Sequence, residues 1–261
     1  MRILLPPSEG KTAPSHGDPT DVDALFAPEL AAARRRVATS LGRLSRMDPD
    51  RAVRVLKLGK KLHHYLDVNA RLMKAPAAPA ASVYSGVLYD ALRLGELDPH
   101  ARDRARRRLL VFSGLWGVLG IDDPIPDYRC PAGASLPGLH KTKTLALTTF
   151  WRTHLDKRLP AHVDGEFILD LRSQDYRAMW EPPGASATVS VFHEQTAGGE
   201  TTRSVVNHFN KATKGRMVAD LLGDGGEPAS VTELIEALRD LKYRVEQTGD
   251  PRRLDIVVTQ L

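Results

Sequence analysis

Apolar positions in this chain switch between two rhythms, and the switches predict its elements. Residues 2–5 (RILL) form a short apolar run closed by Pro6-Pro7, the pattern of a buried strand. From 25 to 47 apolar residues recur at helical spacing, at Leu30, Val37, Leu41 and Leu44. Asp50 is placed to cap a second helix bearing Val53, Leu56 and Leu58, and a third follows Gly59 with Leu62, Leu66 and Leu72. In VYSGVLYDALRLG (83–95), Leu88, Ala91 and Leu92 share one side, and Asp98 then caps a short basic helix through Arg108. Residues 109–112, 167–171 and 188–192 read as strands, and 144–159 and 204–222 as helices. A short helix over 232–241 has Ser230 or Thr232 as its cap, and the runs 243–247 and 254–259 flank Gly249-Asp250-Pro251 as a terminal hairpin. Helices and strands alternate without strict β–α–β units. The expected class is therefore mixed α/β (α+β): a central mixed sheet surrounded by helices. We expect a single domain over 1–261, its helical segment 25–74 packed on the sheet core.

The intervening stretches are rich in turn formers. Residues 12–23 predict a loop, 75–82 (APAAPAAS) a low-complexity surface connection, and 120–138 a long loop of the kind that often carries function. No repeat at solenoid periods is present.

Composition narrows the setting. An apolar content of 42% in 261 residues suffices for a sizeable core. The one cysteine, Cys130, rules out an internal disulfide framework and fits a reducing cytoplasm. The N-terminal apolar run is too short for a signal peptide, and no run approaches the roughly 18 residues of a membrane span. A soluble cytoplasmic protein without a membrane partner is expected. Net charge is +5 but uneven: 31–74 holds twelve basic and three acidic residues, and Arg102, Arg104, Arg106, Arg107 and Arg108 form a second basic cluster. That asymmetry is the footprint of a polyanion partner; the competing reading is a set of solvated, arginine-rich helix faces.

Gly10-Lys11-Thr12 looks like the tail of a phosphate-binding loop, but the rest of that loop is missing. The first required glycine is Leu5, Pro6 and Pro7 lack two of the N–H groups that would face phosphate, and TAPSHGDPT after Lys11 cannot start a helix. What remains is a lysine with Ser8 on a stiff loop at a strand end, a common place for sites. PDYRCP (126–131) holds Tyr128 and Arg129 on a second loop, and DLRSQDYRAMW (170–180) places Asp170, Ser173, Asp175 and Tyr176 at another strand end. Asn207, Asn210, Lys211 and Lys214 share one face of the helix in HFNKATKGRM, opposite a seam of Val206, Phe209, Met217 and Leu221. His63, His64 and His208 lack partners at metal-ligand spacing, so neither a metal nor a cofactor is expected. GLWG within FSGLWGVLG is a loose match to the hairpin of a helix-hairpin-helix element, its glycines one residue too far apart.

Taken in order, LLPPSEGKT (4–12), VYSGVLYDAL (83–92), FSGLWGVLGIDDPIPDYR (112–129), FW (150–151), ILDLRSQDY (168–176) and NKATKGRM (210–217) resemble the YaaA family of peroxide stress response proteins. The family lysine matches Lys11, its tyrosine-x-glycine Tyr84 and Gly86, and its S-G-L-[YW]-G residues 113–117. Asp127 stands where a proline is common before Tyr128-Arg129, Thr213 replaces one basic residue between Lys211 and Lys214, and Arg216 follows. The first loop, PPSEGK instead of a shorter S-P-A-K, marks a divergent branch. The resemblance implies a cytoplasmic protein of the response to hydrogen peroxide, a mixed α/β body with a basic cleft on one side, and DNA binding through that cleft and a helix-hairpin-helix element.

Two functions follow as expectations. One is non-sequence-specific binding of double-stranded DNA, with Lys11, Tyr84, Ser113, Arg129, Ser173, Lys211, Lys214 and Arg216 as the DNA- or anion-binding set. The alternative is an enzyme acting on a small anionic, nucleotide-like ligand in the same cleft, with Lys11, Asp170 and Asp175 as candidate catalytic groups. A purely structural or partner-binding role is the third reading.

Overall fold

The computed structural model describes residues 1–142, 144–197, 200–204 and 207–259. The first half of the chain runs β1 (Arg2–Leu5), α1 (Ala31–Met47), α2 (Pro49–Val55), α3 (Tyr65–Arg71), β2 (Ala78–Pro79), α4 (Ala80–Val83), α5 (Val87–Leu92), α6 (Pro99–Arg108), β3 (Leu109–Ser113), β4 (Gly117–Gly120) and β5 (Pro124–Ile125). The second half runs α7 (Leu147–Arg158), β6 (Ile168–Asp170), α8 (Gln174–Arg177), β7 (Ser186–Ala197), β8 (Glu200–Ser204), α9 (Asn207–Asp224), α10 (Val231–Asp240), β9 (Arg244–Gln247) and β10 (Arg253–Val258).

Eight of the described strands form one mixed sheet in the order β4-β3-β1-β6-β7-β10-β9, with β8 added to β7. The short apolar run at the N-terminus lies inside it, parallel to β3 on one side and β6 on the other. Its burial on both faces explains why it reads as a continuous apolar run without alternation. The β3–β4 and β9–β10 pairs are antiparallel, the latter being the terminal hairpin the sequence predicts. α5, α6 and α10 each pack against α9, with α6 also on β1 and α9 on β7. α5 and α9 approach closely at Gly215, where an added Cβ would sit 2.2 Å from the Leu88 carbonyl oxygen. α1 and α7 close over the β3–β4 end: Arg34 donates to the Trp116 and Val118 carbonyls, and Trp151 Nε1 to Gly114 O at 2.8 Å. Among the described residues no helix is long and apolar enough to cross a membrane.

Several elements differ from expectation. α1 starts at Ala31, because Ala27 is left-handed (φ 55°) and Pro28 opens a separate 3-10 turn. The cap of α2 is Asp48, which accepts from Arg51 N, and not Asp50, which lies inside the helix. The predicted surface connection 75–82 instead buries Ala77 and Ala80, and β2 within it pairs with β5 of the long loop. Small alanine side chains permit this close approach, and the pairing anchors the loop. The helix expected over 204–222 begins at Asn207, since Ser204 closes β8. Val206 lies outside the described residues. Ser230, not Thr232, caps α10.

Candidate functional site

β1 runs into Pro6-Pro7, which cannot extend a ladder, and the chain leaves the sheet there. The loop that follows is stitched to 83–85: Lys11 bridges Tyr84, Thr12 N donates to Val83 O at 2.8 Å, and Ser8 Oγ donates to Ser85 O. Tyr89 OH holds the Pro6 carbonyl at 2.7 Å. This fixes the Lys11 backbone without a helix behind it, in accord with the rejected phosphate-loop reading.

Lys11 Nζ donates to Ser8 O at 2.9 Å and lies 4.3 Å from the Tyr128 ring centroid and 5.6 Å from that of Tyr84. Burial lowers its pKa to about 8, opposed by Asp127 and assisted by Arg129. Behind it runs a chain of hydroxyls: Tyr84 OH to Tyr128 OH at 2.8 Å, and Tyr128 OH to Ser113 Oγ at 2.7 Å. Ser113 Oγ accepts from the N–H groups of Leu115 and Trp116, tying the chain to the β3–β4 turn. Gly114 in that turn is required by close approach, since a Cβ there would lie 2.4 Å from Cys130 O. Thus GLWG is a β-turn between antiparallel strands, and the helix-hairpin-helix expectation fails at this motif because no helix flanks it.

Arg129 is held from the basic helical layer. Buried Asn69 of α3 donates to its carbonyl and accepts from its N–H, both at 3.0 Å. Its guanidinium reaches Glu9 at 3.1 Å, a carboxylate almost wholly in solvent. Lys11, Arg129, Glu9, Tyr128 and Tyr176 line a small cavity of about 40 Å³. Asp127 lines a separate pocket with Asp67 and Arg71; its Oδ1 is buried without a hydrogen-bond partner, and burial raises its pKa against the pull of Lys11.

Asp170 ends β6 and is buried, but both its oxygens are taken by Arg172, Nε to Oδ1 at 2.9 Å and Nη2 to Oδ2 at 2.7 Å. That guanidinium also lies 4.0 Å from the Phe112 ring centroid and donates to the Trp180 carbonyl. Asp170 is thus held in a buried ion pair, which competes with the proton transfer expected of it. Lys214 approaches this pair. Burial lowers its pKa to about 8, Arg177 lowers it further, and Asp170 opposes. Arg177 follows Tyr176 directly, so one short segment, α8, joins the Lys11 cavity to Lys214.

The remaining expected residues divide. Lys211 is exposed one turn before Lys214. Arg216 stands roughly 200° around the helix from Lys214, where it contacts Thr213 Oγ1, and so leaves the set. Ser113 and Tyr84 are buried, so they support Lys11 from behind and cannot meet a polyanion themselves. Ser173 and Asp175 are exposed at the start of α8, and among the described residues Asp175 makes no ion pair that would support a catalytic role. Across the sheet face beside Asp170 lies a groove of about 510 Å³ walled by Arg152, Arg177, Arg252 and Arg253. The motifs did not single out Arg177, Arg252, Arg253, Asn69 or Arg172. Arg172 and Arg177 sit inside the quoted DLRSQDYRAMW, whereas nothing local marks the others.

Much of the basic footprint is structural. Arg34 is buried and donates to four carbonyls, and Arg36 and Arg46 donate to Leu139 O and Ala70 O. Arg102 and Arg106 share Asp122, and Arg108 pairs with Glu227. Among the described residues no group of three His, Cys, Asp or Glu side chains forms a metal-ligand set.

Comparison with known proteins matches this arrangement to one family over nearly the whole chain. The model described as "Peroxide stress protein YaaA" covers residues 1–248. A UPF0246 protein of Streptomyces coelicolor is 46% identical over the full length of both chains. One of Corynebacterium efficiens is 40% identical over 99% of this chain and all of its own. An uncharacterized protein of Campylobacter jejuni is 26% identical over 84% of this chain and 83% of its own. With a site built on the family's ordered motifs and a match of this extent, the chain belongs to the peroxide stress protein YaaA (UPF0246) family.

Proposed function

We propose that this chain acts in the peroxide stress response by binding double-stranded DNA without sequence preference, through phosphate contacts along the surface that joins Lys11 and Arg129 to Arg177, Lys214 and Lys211. The observation that carries the reading is the state of the two half-buried lysines. Lys11 and Lys214 have no ion-pair partner among the described residues, and each is pressed toward neutrality by burial beside an arginine. An anion relieves that cost, which a protein surface meant only for solubility has no reason to bear. The adjoining groove adds Arg177 and Arg252, while its Arg152 and Arg253 are paired with Asp156 and Asp255. Contacts of this kind position a duplex and do not read bases.

The test is retardation of a duplex at several salt concentrations. Affinity falls steeply with salt, and each of Lys11→Gln, Lys211→Gln and Lys214→Gln lowers the log–log slope by about 0.9 per lost phosphate contact. Absence of retardation at low micromolar protein and low salt overturns the reading.

The cavity at Lys11 favours one second reading, an enzyme for a small anionic ligand, because about 40 Å³ lined by Arg129, Tyr128 and Tyr176 suits a single anionic or carbonyl group. A thermal-shift series with nucleotides and sugar phosphates separates it from DNA binding: a rise in melting temperature without duplex retardation supports the enzyme.

A further inference from the structure

The surroundings of Lys11 suit a neutral amine better than a permanent cation. Nζ has one hydrogen-bond acceptor, Ser8 O at 2.9 Å, and is otherwise walled by the Tyr128 and Tyr84 rings. No carboxylate lies within ion-pair distance among the described residues, and ring faces compensate a buried ammonium only in part. With its pKa lowered to about 8, roughly one Lys11 in ten is uncharged at pH 7, against roughly one in three thousand for an ordinary lysine. The amine sits at the wall of the small cavity it shares with the Arg129 guanidinium, whose Glu9 partner is outward-facing and displaceable. Asp127, with a buried unpartnered oxygen and a carboxyl pushed above its usual range by burial, acts on the same amine.

We propose that Lys11 is a nucleophile that forms an imine with an aldehyde on a phosphate-bearing ligand whose phosphate rests on Arg129. The Nζ lone pair attacks the carbonyl carbon, and one proton passes through water from the nitrogen to the carbonyl oxygen to give a carbinolamine. The nitrogen lone pair then forms the C=N bond as the C–O bond breaks, the hydroxyl leaves as water with a proton taken from solvent, and the remaining N–H proton returns to solvent to leave the imine. One water is released and no oxidant or reductant is consumed. The inference deepens the anion-binding reading, on which the phosphate contact rests, but it does not require DNA as the source. An aldehyde beside a phosphate is found both in a base-free deoxyribose within a duplex and in a free sugar phosphate.

The experiment incubates the protein with sodium cyanoborohydride and one of two probes, a duplex carrying one base-free deoxyribose or deoxyribose 5-phosphate. Any adduct is mapped by peptide mass, and retardation of an intact duplex is measured in parallel. The expected result is a reduced, acid-stable adduct on Lys11, with an initial rate that rises about tenfold from pH 6 to pH 7 as the neutral amine fraction grows, and levels above pH 8. Lys11→Arg abolishes it, and Arg129→Gln slows it and moves the rise to higher pH, because the Arg129 charge helps lower the Lys11 pKa. Because wild-type protein alone gives the map, the test does not depend on the variants folding. Adduct on the duplex probe assigns DNA as the source, and adduct on the sugar phosphate alone assigns a small ligand. No adduct with either probe, or adduct spread over surface lysines, overturns the inference; retardation of intact duplex in that case leaves DNA binding standing.

Discussion

Around α6, Arg102 and Arg106 close on Asp122, Arg104 binds the Leu222 and Gly223 carbonyls, and Arg108 is held by Glu227 and the Gly226 carbonyl. Around β1 and β6, Lys11 donates to the Ser8 carbonyl, neither it nor Lys214 has a carboxylate partner among the described residues, and burial pulls both toward neutrality. Both regions are basic in sequence and opposite in chemistry. The α6 arginines are spent on cohesion, holding the ends of α6 and α9 and the turn after β4 together. The lysines are held in an unfavourable charged state that an anion would relieve. Counting cations therefore does not locate an anion site; the partners of each cation do.

The comparison breaks most sharply at the buried ion pair. Arg172→Met leaves Asp170 buried and unpaired, and a loss of about 3–5 kcal/mol in urea unfolding is expected. Stability unchanged by that substitution would return Asp170 to the list of groups free for catalysis. Arg34→Met strips four carbonyls of their donor and should cost about 3 kcal/mol by the same measurement, with little change in the salt slope of DNA binding. Arg106→Gln should leave duplex affinity within about twofold, whereas Lys214→Gln weakens it at low salt and flattens the slope. Equal effects from the two would erase the distinction between the regions.

A smaller effect follows from the lysine pKa values. The folded values, about 8, lie below the unfolded reference of 10.5, so the unfolded chain binds more protons between those limits. Stability should therefore rise from pH 8 to pH 10.5 and lack this gain below pH 8, where both states are protonated. Lys214→Met removes part of that rise in melting temperature against pH, and a duplex or phosphate titration should stabilise the protein more at pH 7 than at pH 10. The smallest effect concerns Cys130. It is buried, and burial pushes its thiol up to about 12, so little thiolate exists for peroxide to attack. Thiol titration after exposure to hydrogen peroxide should show slow loss, and Cys130→Ser should bind duplex as the wild type does.

Fold class was legible because it rests on periodicity. The runs at 2–5, 109–112 and 167–171 had strand length and apolar continuity, and the hairpin at 243–259 carried its own turn residues. Boundaries were less so, since Asp48 and Asp50 are both plausible caps and only backbone geometry chose between them. At the site, Lys11 and Arg129 were visible as polar residues on stiff loops. Tyr84 and Ser113 were visible too, but their burial was not, and it turned them from contact residues into supports. Asn69, Arg252 and Arg253 carry no local signal at all.

By itself the sequence determined six of the strands, most helices, the absence of a phosphate-binding loop and the ordered motifs that place the chain in its family. Each of these depends on residues near one another in the chain. Which cations are spoken for depends on acceptors 80 to 120 positions away, as for Arg34 with Trp116 and Val118 or Arg104 with Leu222. Burial and hydrogen-bond partnership are properties of the packed chain, so only the tertiary structure decided that Lys11 and Lys214 are half-buried without a carboxylate partner among the described residues.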